Sequence, residues 1–212
     1  MTFLDGVLPS PEERVRTSLT RELELRRKRL EEAAQFSPGD GYVYRGGADL
    51  ALRHGKFYPG RLLPAQYMPH QGDLGHCFAN AQNAANADPS LTYCEGYYTT
   101  GYGVPLAHAW CVAPDGEMLE LTFPLQHLDR ARSPETKMKF LPPEHWGYYG
   151  LTFDVRLVND HDGKFGLPML DRLTSELIHH SLEQHDPARY DNSRHDFPIL
   201  KLPYDPNRTE LT

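Results

Sequence analysis

Three features of the sequence predict an α+β fold: a capped amphipathic helix near the start, an alanine-rich helix opening on Cys77, and three β-like runs after it with a turn signal between the last two. Together they describe a Cys-bearing helix packed on an antiparallel sheet, with a long N-terminal helix in addition. The chain has 212 residues, enough for one ordinary domain with a substantial core. We divide it into a helical segment (1–37), an α+β domain (38–185) and an extended C-terminal tail (186–212).

The first helix starts at Ser10-Pro11-Glu12-Glu13. Ser10 accepts an N–H bond, Pro11 suits the first helical position and Glu13 closes a capping box. From Pro11 to about Gln35, Val15, Leu19, Leu23, Leu30 and Ala34 form one narrow apolar stripe among glutamates, arginines and a lysine, so one face packs and the rest is wet. The basic run Arg26-Arg27-Lys28-Arg29 belongs to that wet surface. Ser37-Pro38-Gly39-Asp40 breaks the helix, and Tyr42-Val43-Tyr44 reads as a short strand ahead of Gly46-Gly47. Gly55 to Gly75, proline-rich with scattered aromatics, reads as ordered loop.

Cys77 to Ala87 carries Phe78, Ala81 and Ala85 on one side and Asn80, Asn83 and Asn86 on another, the pattern of a buried helix that Asp88-Pro89 ends. Leu91 to Tyr98, Pro105 to Ala113 and Glu117 to Phe123 are the β-like runs, with Pro114-Asp115-Gly116 as the turn. Farther on, Leu151 to Val158 reads as a strand and Leu170 to Glu183 as a helix. His179, His180 and His185 read as part of a solvated surface there.

Composition excludes several function classes. The 22 basic and 29 acidic residues leave a net charge of −7 with no global positive field, so nucleic acid is a poor partner. The longest run without charged side chains, Gly96 to Pro114, is broken by glycines and prolines, which excludes a membrane span. No basic segment followed by an apolar run opens the chain, so the expected compartment is the cytoplasm. The 3 cysteines, widely spaced and odd in number, fit free thiols better than disulfides.

Four residues stand in a productive order: Gln71, Cys77, His108 and Glu120. A cysteine in the first turn of a helix lies beside unpaired N–H groups, which favours thiolate over thiol; alone it would read as a small buried hydrophobe. Alternation puts His108, Trp110 and Val112 on one face of their strand and Ala107, Ala109, Cys111 and Ala113 on the other. A three-residue loop sets Ala113 opposite Glu117, Trp110 opposite Glu120 and His108 opposite Thr122, leaving Glu120 diagonal to His108 on one face. A two-residue loop would turn Glu120 away and leave it an exposed strand carboxylate. Gln71, six residues before Cys77, and the Cys77 N–H could supply two donors to an oxyanion. Cys94 sits within a strand, where burial makes a thiol inert, and Cys111 faces away from His108.

The pattern Gln-Gly-x-x-Gly-x-Cys opening a helix, His-Ala-Trp on a strand and an acidic residue on the next resembles the core of the papain-like and transglutaminase-like cysteine enzyme superfamily. The similarity covers about Gln71 to Phe123. The short interval from His108 to Glu120 is like the transglutaminase-like branch, with Glu120-Leu121-Thr122 in place of an Asp-Pro-Thr-like context, while the glutamine spacing is papain-like. The resemblance implies Cys77 as nucleophile, His108 as general base and acid, Glu120 as orienting group and Gln71 as oxyanion donor. It implies thiol-dependent acyl transfer or hydrolysis at an amide of a protein or peptide substrate, with no cofactor. Two other readings compete: a zinc site from Cys77, Cys94, Cys111 and His76 or His108, and a non-catalytic interaction module on the same scaffold.

Overall fold

The computed structural model describes residues 8–34, 46–100, 104–123, 142–162, 170, 190–191 and 199–200. Helix α1, Pro11–Ala34, begins where the capping box places it. Ser10 N–H donates to Glu13 Oε2 at 2.7 Å, and Glu13 N–H donates to Ser10 Oγ at 3.2 Å. Val15, Leu19 and Leu23 are buried, whereas Leu30 at the far end of the expected stripe is 45% exposed. From the basic run, Arg26 donates to the Pro105 carbonyl and lies over the Tyr97 ring, so this side chain anchors the helix to the start of a strand.

Two elements arise where the sequence signals were weak. Helix α2, Gly46–His54, forms in spite of its two leading glycines because Ala48, Leu50 and Ala51 are buried, and tertiary burial outweighs poor local propensity. Strand β1, Lys56–Pro59, and a 3-10 turn, Ala65–His70, occupy the region expected to be loop. Four residues are too few for alternation to register as a strand.

Helix α3 spans Cys77–Ala87, as its pattern requires, with Ala81, Ala84 and Ala85 buried. Strands β2, Thr92–Thr99, β3, Leu106–Val112, and β4, Met118–Leu119, follow. After a 3-10 turn at Pro143–His145, strand β5 runs Gly147–Phe153 and helix α4 takes Val155–Asp162. The strand expected over Leu151 to Val158 is thus corrected. Asp154 accepts the Arg156 N–H at 3.0 Å, an N-cap that starts a helix where strand-like composition continues. Short strands β6, Tyr190–Asp191, and β7, Ile199–Leu200, return part of the C-terminal segment to the sheet. The strand expected at Tyr42 to Tyr44 and, apart from Leu170, the helix expected from Leu170 to Glu183 with its nearby histidines lie outside the described residues.

The sheet runs β4-β3-β2-β5-β7-β6, with β1 on the same side of β5 as β7. All pairs are antiparallel except β5 with β7. Residues alternate between two cores. One face buries Tyr93, Ala109, Cys111, Leu119, Leu151 and Phe153 with the helices, and the other buries Tyr58, Cys94, Trp110, Val112, Trp146 and Tyr148.

Candidate active site

The site begins with the β3–β4 hairpin. Cys111 pairs with Leu119 and Val112 with Met118, and Ala113 N–H donates to the Glu117 carbonyl at 2.9 Å. The loop is therefore Pro114 to Gly116, and Gly116 at φ +84° supplies the left-handed residue that closes a three-residue connection. This register carries Glu120 to the His108 face. His108 Nε2 and Glu120 Oε2 are 2.9 Å apart, and both residues are buried. The reading of Glu120 as an exposed carboxylate is excluded.

Four hydrogen bonds hold the Glu120 carboxylate. Oε2 takes His108 Nε2 and the Tyr148 hydroxyl at 2.7 Å, and Oε1 accepts the Thr122 and Phe123 N–H groups at 2.8 and 3.1 Å. Burial opposes its ionisation, but His108 and these donors outweigh burial and hold the carboxyl below the usual range.

Cys77, partly buried, is the first residue of α3. The first intrahelical bond runs from Asn80 N–H to the His76 carbonyl at 2.8 Å, so the Cys77 N–H belongs to the first turn, whose donors have no partner within the helix. The thiol is in hydrogen-bonding contact with His108. With Nε2 engaged by Glu120, Nδ1 is the ring nitrogen left for the sulfur. Burial would strip His108 of its proton, yet Glu120 and Cys77 together push its pKa up to about 9. The ring is boxed by Tyr98 at 4.8 Å, Phe123 stacked at 5.0 Å, Tyr148 at 5.8 Å and Trp110 at 6.4 Å between centroids. Trp110 is thus one of four rings that shield the histidine.

Gln71 follows the 3-10 turn, its N–H donating to the Met68 carbonyl at 3.1 Å. The next residue, Gly72, donates its N–H to the Leu121 carbonyl at 2.9 Å, joining the loop to the segment after β4 that bears Glu120. Asn80 completes the brace, since Nδ2 donates to the Asp73 carbonyl at 2.8 Å and to Thr122 Oγ1 at 3.0 Å. A Cβ at Gly72 would lie 2.0 Å from Asn80 Oδ1, on a side chain whose Nδ2 is already held by two hydrogen bonds, so only glycine fits. The geometry therefore unites Cys77, His108 and Glu120 through their side chains and places Gln71 by its backbone.

The remaining cysteines lie apart. Cys94 is buried with Tyr58, whose hydroxyl bonds its sulfur, and Cys111 donates to the Ala81 carbonyl at 3.3 Å on the opposite face. Burial pushes both thiols up. Ligands for a shared zinc are thereby separated, and among the described residues no group of three or more His, Cys, Asp or Glu is placed to hold a metal.

Sequence reasoning missed Tyr148, Tyr98, Phe123 and the role of Asn80. The three-residue spacing of asparagines in α3 was a signal for Asn80, but nothing near Tyr148 marked its partner. Among the described residues no helix is long and apolar enough to cross a membrane. Comparison of the chain with protein-family models, curated proteins and solved structures found no match.

Proposed function

We propose that this protein is a thiol enzyme of the cytoplasm that transfers the acyl group of an amide, with a papain-like or transglutaminase-like core. One observation carries the reading: a helix-start cysteine contacts a buried histidine whose other nitrogen is bound to a buried, ionised glutamate. That is the arrangement an activated sulfur nucleophile requires.

His108 Nδ1 takes the Cys77 proton, and the thiolate attacks the carbonyl carbon. The Cys77 N–H and the Gln71 amide hold the oxyanion. As the C–N bond breaks, the imidazolium returns its proton to the leaving amine, and a thioester remains on Cys77. Water then attacks with His108 as base, releasing acid and thiol; an amine in place of water gives transfer. Glu120 keeps the imidazole in the tautomer with a proton on Nε2 and stabilises the imidazolium. The substrate is a protein or peptide, and the chemistry needs no cofactor.

The test is the rate of iodoacetamide labelling at each cysteine against pH, localised by mass spectrometry. Cys77 should label fast at about pH 6, where an ordinary thiol is inert, and lose that rate in His108→Ala. Labelling of Cys77 only above about pH 8 would overturn the reading and leave the scaffold as an interaction module.

A further inference from the structure

Glu120 is one methylene longer than an aspartate, and a longer carboxylate needs more fixing to aim a histidine. Its two backbone donors, Thr122 and Phe123, come from the residues that follow it in the chain and hold Oε1. The oxygen that meets His108 has one further partner, the Tyr148 hydroxyl at 2.7 Å. Tyr148 belongs to β5, which β2 and β3 separate from β4 in the sheet. The sheet must curl on this face for that bond to form. Tyr148 is also buried and stacked on Tyr98, which itself lies against His108.

We infer that Tyr148 is a positioning residue of the thiol site, its hydroxyl locking Glu120 Oε2 in line with His108 Nε2. The inference rests on the thiol-enzyme reading. The Tyr148 hydroxyl acts on the carboxylate, and through it on the imidazolium formed when His108 takes the Cys77 proton. Among the described residues, the titratable groups facing this centre are Cys77 from α3, Tyr98 from β2, His108 from β3, Glu120 after β4 and Tyr148 from β5.

Removing the hydroxyl deprives an ionised group of one donor, which is worth about one pH unit in its titration. Glu120 then accepts a proton at a higher pH, the imidazolium loses its counter-charge, and the thiolate is lost earlier on acidification. In Tyr148→Phe the acid midpoint of Cys77 labelling by iodoacetamide should rise by about one unit. Tyr149→Phe, next along the strand but on the helix-covered face, should leave the profile unchanged. Glu120→Asp, which retracts the carboxylate from Tyr148 and His108 alike, should raise the midpoint as well; where Tyr148→Phe fails to fold by circular dichroism, an unmoved midpoint in Glu120→Asp overturns the inference. In a Glu120→Gln background, Tyr148→Phe should produce no further shift.

A folded Tyr148→Phe protein whose profile overlays the wild type overturns the inference, as does a shift that persists undiminished in the Glu120→Gln background. Both leave the thiol-enzyme reading intact. Ordinary labelling of Cys77 in the wild type sinks that reading first and this inference with it.

Discussion

Two buried glutamates, one on each face of the sheet, solve the same problem with different consequences. Glu95 on the helix-covered face accepts the Tyr93 hydroxyl at 2.6 Å and the Leu170 N–H at 2.8 Å. Glu120 on the aromatic face accepts the Tyr148 hydroxyl at 2.7 Å and two backbone N–H groups, and it also meets His108. Each buried carboxylate takes a tyrosine hydroxyl and backbone N–H bonding. What separates the two is the next neighbour. Glu95 ties the chain at Leu170 to the sheet through a peptide N–H, whereas Glu120 meets an imidazole that touches a thiol.

That contrast breaks most sharply at the sulfur. Cys77→Ala and His108→Ala should abolish turnover of any amide substrate, measured by release of the amine, while both glutamates stay in place. Gln71→Ala should lower kcat by about 10²–10³, the effect of one lost oxyanion donor, with the labelling profile of Cys77 retained. Glu120→Ala should lower turnover less than His108→Ala, because the base survives without its aim. Its cost in stability should be larger, about 3–5 kcal/mol by denaturant titration, since an imidazolium loses its partner in a buried site.

Glu95→Gln sharpens the comparison from the other face. It should cost about 1–3 kcal/mol of stability for weakened buried bonds and leave the pH profile of Cys77 labelling unmoved. A shift in that profile would erase the distinction drawn between the faces. A further effect is expected on stability against pH. The folded pKa of His108 is raised, so its contribution is complete below about pH 6.5 and is lost as pH rises through about 9. Glu120 works in the opposite sense, its contribution present above its unfolded value and lost as pH falls through its depressed folded one. The thermal midpoint should therefore sag at both ends of the range, and the alkaline sag should flatten in His108→Ala.

Much of the candidate site was legible in the chain because its parts are local. Ser10 and Glu13 lie three residues apart and cap α1 as expected. Cys77 opens its helix, and the turn at Pro114 to Gly116 fixes the register from which the contact of His108 with Glu120 follows by counting. A hairpin register and a helix start depend on residues close in sequence, and their dihedral demands are written there.

Tertiary structure alone decided the rest. Periodicity tells which face of a strand a residue takes but not which strand lies beside it. The bond from Tyr148 to Glu120 joins β5 to the segment after β4, which is not its neighbour in the sheet, and the aromatic box around His108 draws Tyr98, Phe123 and Tyr148 from three segments. Helix α2 and strand β1 exist through burial against the sheet and not through propensity. Packing also set the titration of the pair, for the same glutamate on an exposed strand would keep the ordinary carboxylate range. Desolvation and the company of a histidine and a tyrosine are properties of packing, and packing forms only when distant segments meet.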